Sequence, residues 1–356
     1  MKTKSLALLT ATTFFATLGL TVQTPAQTIQ DQITTFDPPG SYGTIPTSIN
    51  PRGEIAGYYS GPTGPTAHGF VRDKDGTIIS FDAPGAGPNG TVPASINPSG
   101  TITGSFYDAN YNANHSVHGF VRDKDGTIIS FDTPFAGPDG PRTFPASINP
   151  SGTITGSYVD AGFMQHGFVR AADGTITSFD AGVNLTNPTS INPSGEIVGS
   201  YFSAGFTQHG FVRAADGAIT TFDADPQGPH GINPISINPS GEVTGSFFTV
   251  GGPHGLLSHG FVRAADGTIT IFDADPPVIG TYSQSINPSG EIIGFFFTSA
   301  NFTQHGFARP ADGTITTFDV DSIGTDPTSI NPTGTITGTA GGHGFVLKHS
   351  HHAGPG

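Results

Sequence analysis

The chain has 356 residues, 51 of them Gly and 30 Pro, no Cys, and a formal net charge of −14. An acidic surface repels phosphate backbones, which makes nucleic acid and anionic membranes poor partners. The absence of Cys excludes disulfides, a thiol nucleophile and Cys-ligated metal.

The chain opens with MKTKSLALLTATTFFATLGLTVQTPAQTIQ. Lys2 and Lys4 precede an apolar run from Leu6 to Val22, and small residues follow around Thr24 and Ala26. This pattern predicts a secretory signal peptide over residues 1–26, and therefore a secreted or periplasmic protein. Loss of both lysines would leave the mature chain nearer −16, counted from the −14 of the whole. No later segment is apolar over a length that spans a bilayer.

Next comes QITTFD, residues 32–37, and then the first of seven near-copies of one phrase. The phrase SIN starts at Ser48, Ser95, Ser147, Ser190, Ser236, Ser285 and Ser329. In the fourth copy, Asn192-Pro193-Ser194-Gly195 suits a type I turn: Pro presets φ at the second position and Gly accepts positive φ at the fourth. A three-residue hairpin loop of this kind pairs Ile191 with Ile197 and Asn192 with Glu196. EIVGSYF is then a second strand, HGFVR a third, AADG a tight turn and AITTFD a fourth. Each unit is a four-stranded antiparallel meander of about 45 residues, with two faces to bury and no means of burying both alone.

Radial stacking solves that problem. The predicted fold is all-β, a seven-bladed β-propeller. A parallel β-helix is the rival, disfavoured by the hairpin turns within each unit. SIN, HGF and a terminal Phe-Asp each occur seven times, but the first Phe-Asp (Phe36-Asp37) precedes the first SIN, and the chain ends its repeats on HGFVLK. The strand at residues 32–37 is therefore expected to complete the last blade and remove the open edge. One domain is predicted over residues 27–348, with a disordered His-rich tail at 349–356.

The pattern S-I-N-x-x-G-x-I-x-G, then H-G-F-V, D-G-x-I and F-D, resembles the HAF-type extracellular repeat of bacterial proteins. The resemblance covers nearly all of the mature chain. The family is named for a His-Ala-Phe triplet; here Gly holds the middle place in all seven copies. The resemblance implies an exported bacterial repeat protein and carries no catalytic residues with it.

The repeated residues read as structure. If Ala172-Asp173-Gly174 form a three-residue loop, Arg170 faces Ile176 and His166 faces Asp180. That predicts buried His/Asp pairs throughout: His68 with Asp82, His118 with Asp132, His166 with Asp180, His209 with Asp223, His259 with Asp273, His305 with Asp319, and His343 with Asp37. These histidines lie roughly 10 Å outward from the channel, two strand spacings, and diverge. They cannot share one ion, which needs bonds of ~2.0 Å.

No metal site, cofactor or catalytic residue is assigned. Glu54, Glu196, Glu242 and Glu291 occupy one repeated turn position and are not a lone catalytic pair. DKDG at Asp73 and Asp123 lacks the remaining ligands of a calcium loop.

The NPSG and ADG turns are short and constant, whereas the connections from strand two to three and from blade to blade vary. Antiparallel order puts both variable sets on one face, which is where binding resides on a rigid scaffold. The expected function is non-enzymatic binding of an extracellular ligand or protein, with carbohydrate among the candidates, by a monomer. Tyr111, Phe163, Phe206 and Phe302 are the candidate ligand-binding residues, as an aromatic arc at loop level. The rival for these rings is a plug folded back onto each blade. A lyase or hydrolase is the alternative function, with its site at the channel mouth among the non-repeated His115, His230, His254, Asp225, Asp275 and Asp326. A purely structural surface protein is the third.

Overall fold

In the computed structural model, residues 27–28, 32–62, 66–109, 115–135, 140–224, 231–250, 256–274, 278–298 and 302–348 are described. All regular elements among them are strands. The third repeat shows why. Thr143–Ile148, Ile154–Val159, Gln165–Arg170 and Ile176–Phe179 form one antiparallel sheet in chain order. The hairpin turns set its register: Arg170 faces Ile176, as the loop chemistry predicts. In the fourth repeat Ile191 faces Ile197, and Asn192 N–H donates to the Glu196 carbonyl at 3.0 Å.

Five such four-stranded sheets stand apart; a sixth, nine-stranded sheet joins two neighbouring repeats and carries the short parallel strand Gln27–Thr28 beside Thr316–Phe318. The joint is one parallel bridge between Ser258 and Gly280. The strand Gln32–Phe36 pairs with the C-terminal His343–Lys348, so a strand from the N-terminal side of the repeats completes the sheet of the last one.

The core lies between sheets. Phe106, Ile102 and Phe120 of the second repeat pack on Ala56 and Val71 of the first. At the join of the two ends, Phe36 and Val346 pack on Ile49, Ile55 and Phe70. Six strand-four Phe rings meet the strand-three Phe of the next repeat edge to face, as with Phe131 and Phe168 at 6.2 Å. Arg170 covers the same Phe131 ring at 4.8 Å, and five other arginines do likewise. This packing explains the Gly of HGF. A Cβ on Gly167 would lie 2.6 Å from the Phe179 ring, so the Ala of the HAF triplet has no room here.

The repeated SIN phrase is a junction device. Asn192 Oδ1 accepts from Ser194 Oγ (2.7 Å) and the Glu196 amide (2.9 Å), which fixes its own turn, where Gly195 has φ 88°. Its Nδ2 donates at 3.3 Å to the carbonyl of Asn238 in the next repeat. The same bond runs from Asn50 to Asn97, then Asn149, Asn192, Asn238, Asn287 and Asn331, and Asn331 returns to Asn50 at 3.3 Å. A second belt uses the serine: Ile96 N–H donates to Ser48 Oγ, and Ile49 N–H to Ser329 Oγ.

Deleting residues 32–37 removes Phe36 from the closing seam and leaves the last sheet with an open edge. Its melting temperature is expected to fall by roughly 10 °C or more, with a less cooperative transition. Truncation after Lys348 is the control in the same calorimetric scan and should match the intact chain.

Candidate functional site: the variable face

The seven His/Asp positions do come together. His166 Nδ1 lies 2.7 Å from Asp180 Oδ1, and the other six pairs lie within 2.6–3.1 Å. They are not the buried pairs expected from the sequence. Asp180 keeps 50% of its side chain exposed and Asp319 54%, because the fourth strand is the outer edge of each sheet and nothing covers it. The imidazole is the better shielded partner, since it stacks on an aromatic of strand two, as His166 does on Tyr158 at 5.1 Å. His343 faces Ala340 instead and is 57% exposed. Among the described residues no group of three or more His, Asp or Glu side chains could hold a metal.

The aromatic loops are more informative. On the constant face, Ala171 N–H donates to Thr175 O and Gly174 N–H to Ala171 O, with Gly174 at φ 93°. On the variable face of the same repeat, Asp160 N–H donates to Met164 O and Phe163 N–H to Asp160 O. The loop is the same, but Phe163 stands in the glycine position, at φ 62°. The fourth repeat does this again: Ser203 bonds Thr207, and Phe206 has φ 57°. Phe302 has φ 57° in a loop one residue longer. A bulky residue in this region costs on the order of 1–2 kcal/mol. The rings do not recover that by plugging the blades, because Phe163, Phe206 and Phe302 are 63%, 73% and 58% exposed. Tyr111 lies outside the described residues. Tyr42, Phe135, Val183, Val250 and Ile323 are further exposed apolar side chains on variable connections; the remaining ones, Ile33, Ile79, Ile129 and Ile271, sit on outer strands. Among the described residues none is on a constant turn.

One cavity of about 500 Å³ opens on this face, lined by Tyr107, His115, Val117, Arg142, Phe144, Val159 and Phe163. It straddles the second and third repeats, whose backbones meet there in a parallel bridge between Val117 and Arg142, with Val117 N–H donating to Pro141 O at 2.7 Å; within the third repeat Val159 N–H donates to Arg142 O at 3.1 Å. The Arg142 guanidinium sits over the Phe163 ring at 5.1 Å. Apart from Phe163 and His115, these residues escape the sequence reading. The available signal was Arg142 itself: after Lys4 it is the one Lys or Arg in a variable connection.

Of the non-repeated polar residues, His230, His254, Asp225 and Asp275 lie outside the described residues. His115 lines the cavity, with φ 55°. Asp326 lies elsewhere, in the innermost strand Thr325–Ile330, where other repeats place Ile45, Val92, Phe144, Asn187, Asn233 and Tyr282. Its Oδ1 is buried with no hydrogen-bond partner among the described residues. Burial pushes its carboxyl up to about 6.

Closed packing of antiparallel four-stranded sheets, with variable loops on one face, defines a β-propeller. Solved structures of that fold superpose on most of the chain. A streptogramin B lyase matches with TM-score 0.59 at 17% identity, covering 89% of this chain and 97% of its own. Virginiamycin B lyase from Staphylococcus aureus matches at 0.59 and 15%, covering 90% and 99%. The β-propeller domain of the Trilobed protease from Pyrococcus furiosus matches at 0.57 and 8%, covering 86% and 96%. At these identities the likeness is one of fold. No protein-family profile matches the chain, the HAF repeat included, and no curated protein matches it in sequence.

Two titrations check the electrostatics. Asp326 takes up a proton more readily folded than unfolded, so its charge costs stability above about pH 6 and nothing below its ordinary value of 3.8. Asp326→Asn is therefore expected to stabilise the protein by roughly 2–3 kcal/mol at pH 8 and hardly at all at pH 3.5, read from denaturant melts. For His166, burial lowers the affinity for a proton, but Asp180 and Asp160 outweigh it and the imidazole titrates above its usual range. That contribution is full below about pH 6.5 and lost as pH rises through the folded value. His166→Ala should lower the melting temperature more at pH 5 than at pH 8. The loss should stay within about 1 kcal/mol, since Asp180 is half exposed.

Proposed function

We propose that the chain is an exported, seven-bladed propeller that binds a ligand without catalysis through its variable face. The blade count is supported by seven sequence repeats and by the seven-membered asparagine circuit that returns from Asn331 to Asn50. Export is supported by the basic, then apolar N-terminus from Lys2 to Val22. The observation that carries binding is the pair Phe163 and Phe206, each in the glycine position of a loop and each exposed. Folding alone would favour Gly there, so the rings serve something outside the fold. Flat exposed rings suit a sugar face or another planar apolar ligand.

Asp326 favours a second reading, proton transfer at the inner strands. A buried carboxyl titrating at about 6 is poised for acid–base work near neutral pH.

A glycan and small-metabolite screen on the mature protein tests the main reading. Phe206→Gly should raise stability by about 1 kcal/mol. The triple variant Phe163→Gly, Phe206→Gly, Phe302→Gly should stay folded and lose the ligand the screen returns. Destabilisation by Phe206→Gly, or binding unchanged in the triple variant, would show that the rings are structural. Turnover of a screened compound that disappears in Asp326→Asn would favour the enzyme.

A further inference from the structure

We infer that the cavity between the second and third repeats is a subsite for a small ring bearing a carboxylate, such as a uronic sugar or an aromatic acid. This deepens the binding reading above and rests on it. The volume, about 500 Å³, is in the range of small-molecule sites and holds a substituted single ring with room to spare. Its walls include the flat rings of Phe144 and Phe163.

Arg142 supplies the charge. The other described arginines and lysines end third strands or sit in the constant turns, so none competes on this face. Six of those arginines stack on a Phe of the preceding repeat, and five of them donate Nη1 to the carbonyl that follows. Arg142 also stacks, over Phe163. No side-chain hydrogen bond or carboxylate partner meets its guanidinium among the described residues. Stacking occupies the face of a guanidinium and leaves its N–H edge free, the edge that matches a carboxylate in two parallel hydrogen bonds. The backbone is set in advance, because the Arg142 carbonyl is held by Val159 and the preceding Pro141 carbonyl by Val117. Phe163 then has two tasks: it holds the guanidinium plane and forms one wall. That accounts for a strained Phe where Gly would fold better.

The surroundings select a single negative charge. The chain carries −14 overall, and Arg142 is the one Lys or Arg among the residues that line the cavity. One arginine offsets a carboxylate there; a doubly charged phosphate would meet uncompensated repulsion.

Calorimetry and ligand-observed NMR on the intact mature chain provide the test, with two matched pairs of probes: D-glucuronate against D-glucose, and benzoate against benzamide. At least one acid should bind about tenfold or more tightly than its neutral partner, the worth of a charge-assisted pair. Added salt should narrow the gap. Arg142→Gln, with an unchanged melting temperature, should erase the preference, and Arg142→Lys should restore part of it. Ile129→Ala, on an outer strand and outside the cavity, should leave it intact. Equal binding of acid and neutral probes overturns the inference, as does a preference that survives Arg142→Gln, or no binding of any probe. If no probe binds but the broad screen returns a neutral ligand lost in Phe206→Gly, this inference falls and the variable-face reading stands. If the screen's ligand is also indifferent to all three Phe→Gly changes, the broader reading falls with it.

Discussion

No repeat of this chain can bury its own two faces, so each depends on the next, and the dependence ends only when the last reaches the first. Phe120 needs the side chains of the preceding repeat, as Phe70 needs Phe36 from the other end of the domain. Asparagine binds the two scales together. One atom of its amide shapes the hairpin that follows it, and the other reaches the neighbouring backbone, so turn geometry and junction geometry are one constraint. A single side chain that must satisfy both leaves little freedom in the residues around it. This is why the phrase recurs with so little change, and why it carries shape rather than chemistry.

The same constraint divides the molecule. At the constant face, turns are pinned by the asparagine circuit, and arginines lie folded over phenylalanines, their charge already engaged. At the other face the connections answer to no junction and can differ. Strain, exposed apolar rings and the Arg142 guanidinium all collect there. Phe163 and Gly174 make the contrast within one repeat: the same loop, once with the residue that folding favours and once without it.

The His/Asp pairs belong to the first half of this division, though differently from a buried network. Their carboxylates stand in solvent at the rim, where an ion pair is worth little. The imidazole's stacking on Tyr158 or its counterparts couples strands two and three, and the pair orients the ring for that contact. Where the aromatic is missing, at Ala340, His343 is the most exposed of the set. Propellers of quite different sequence superpose on this chain, so the strand pattern tolerates wide change in the side chains that fill it.

What the sequence determined by itself was everything that local chemistry dictates. Hairpin loops of fixed length set the register, so the facing of Arg170 with Ile176 and of Ile191 with Ile197 could be read from turn residues alone. Counting motifs placed Gln32–Phe36 beside the last strand, because an unpaired copy at one end and a missing one at the other have a single consistent solution. The tertiary structure decided what depends on partners from different repeats. Whether Asp180 is covered, whether Phe163 folds inward, and how far Asp326 is desolvated follow from which side chains lie across a seam, and no periodicity encodes that. The cavity is the clearest case. Tyr107 and Val117 come from one repeat, and Arg142, Phe144, Val159 and Phe163 belong to the next. They become neighbours only when two sheets twist against each other and their backbones meet at Pro141 and Arg142.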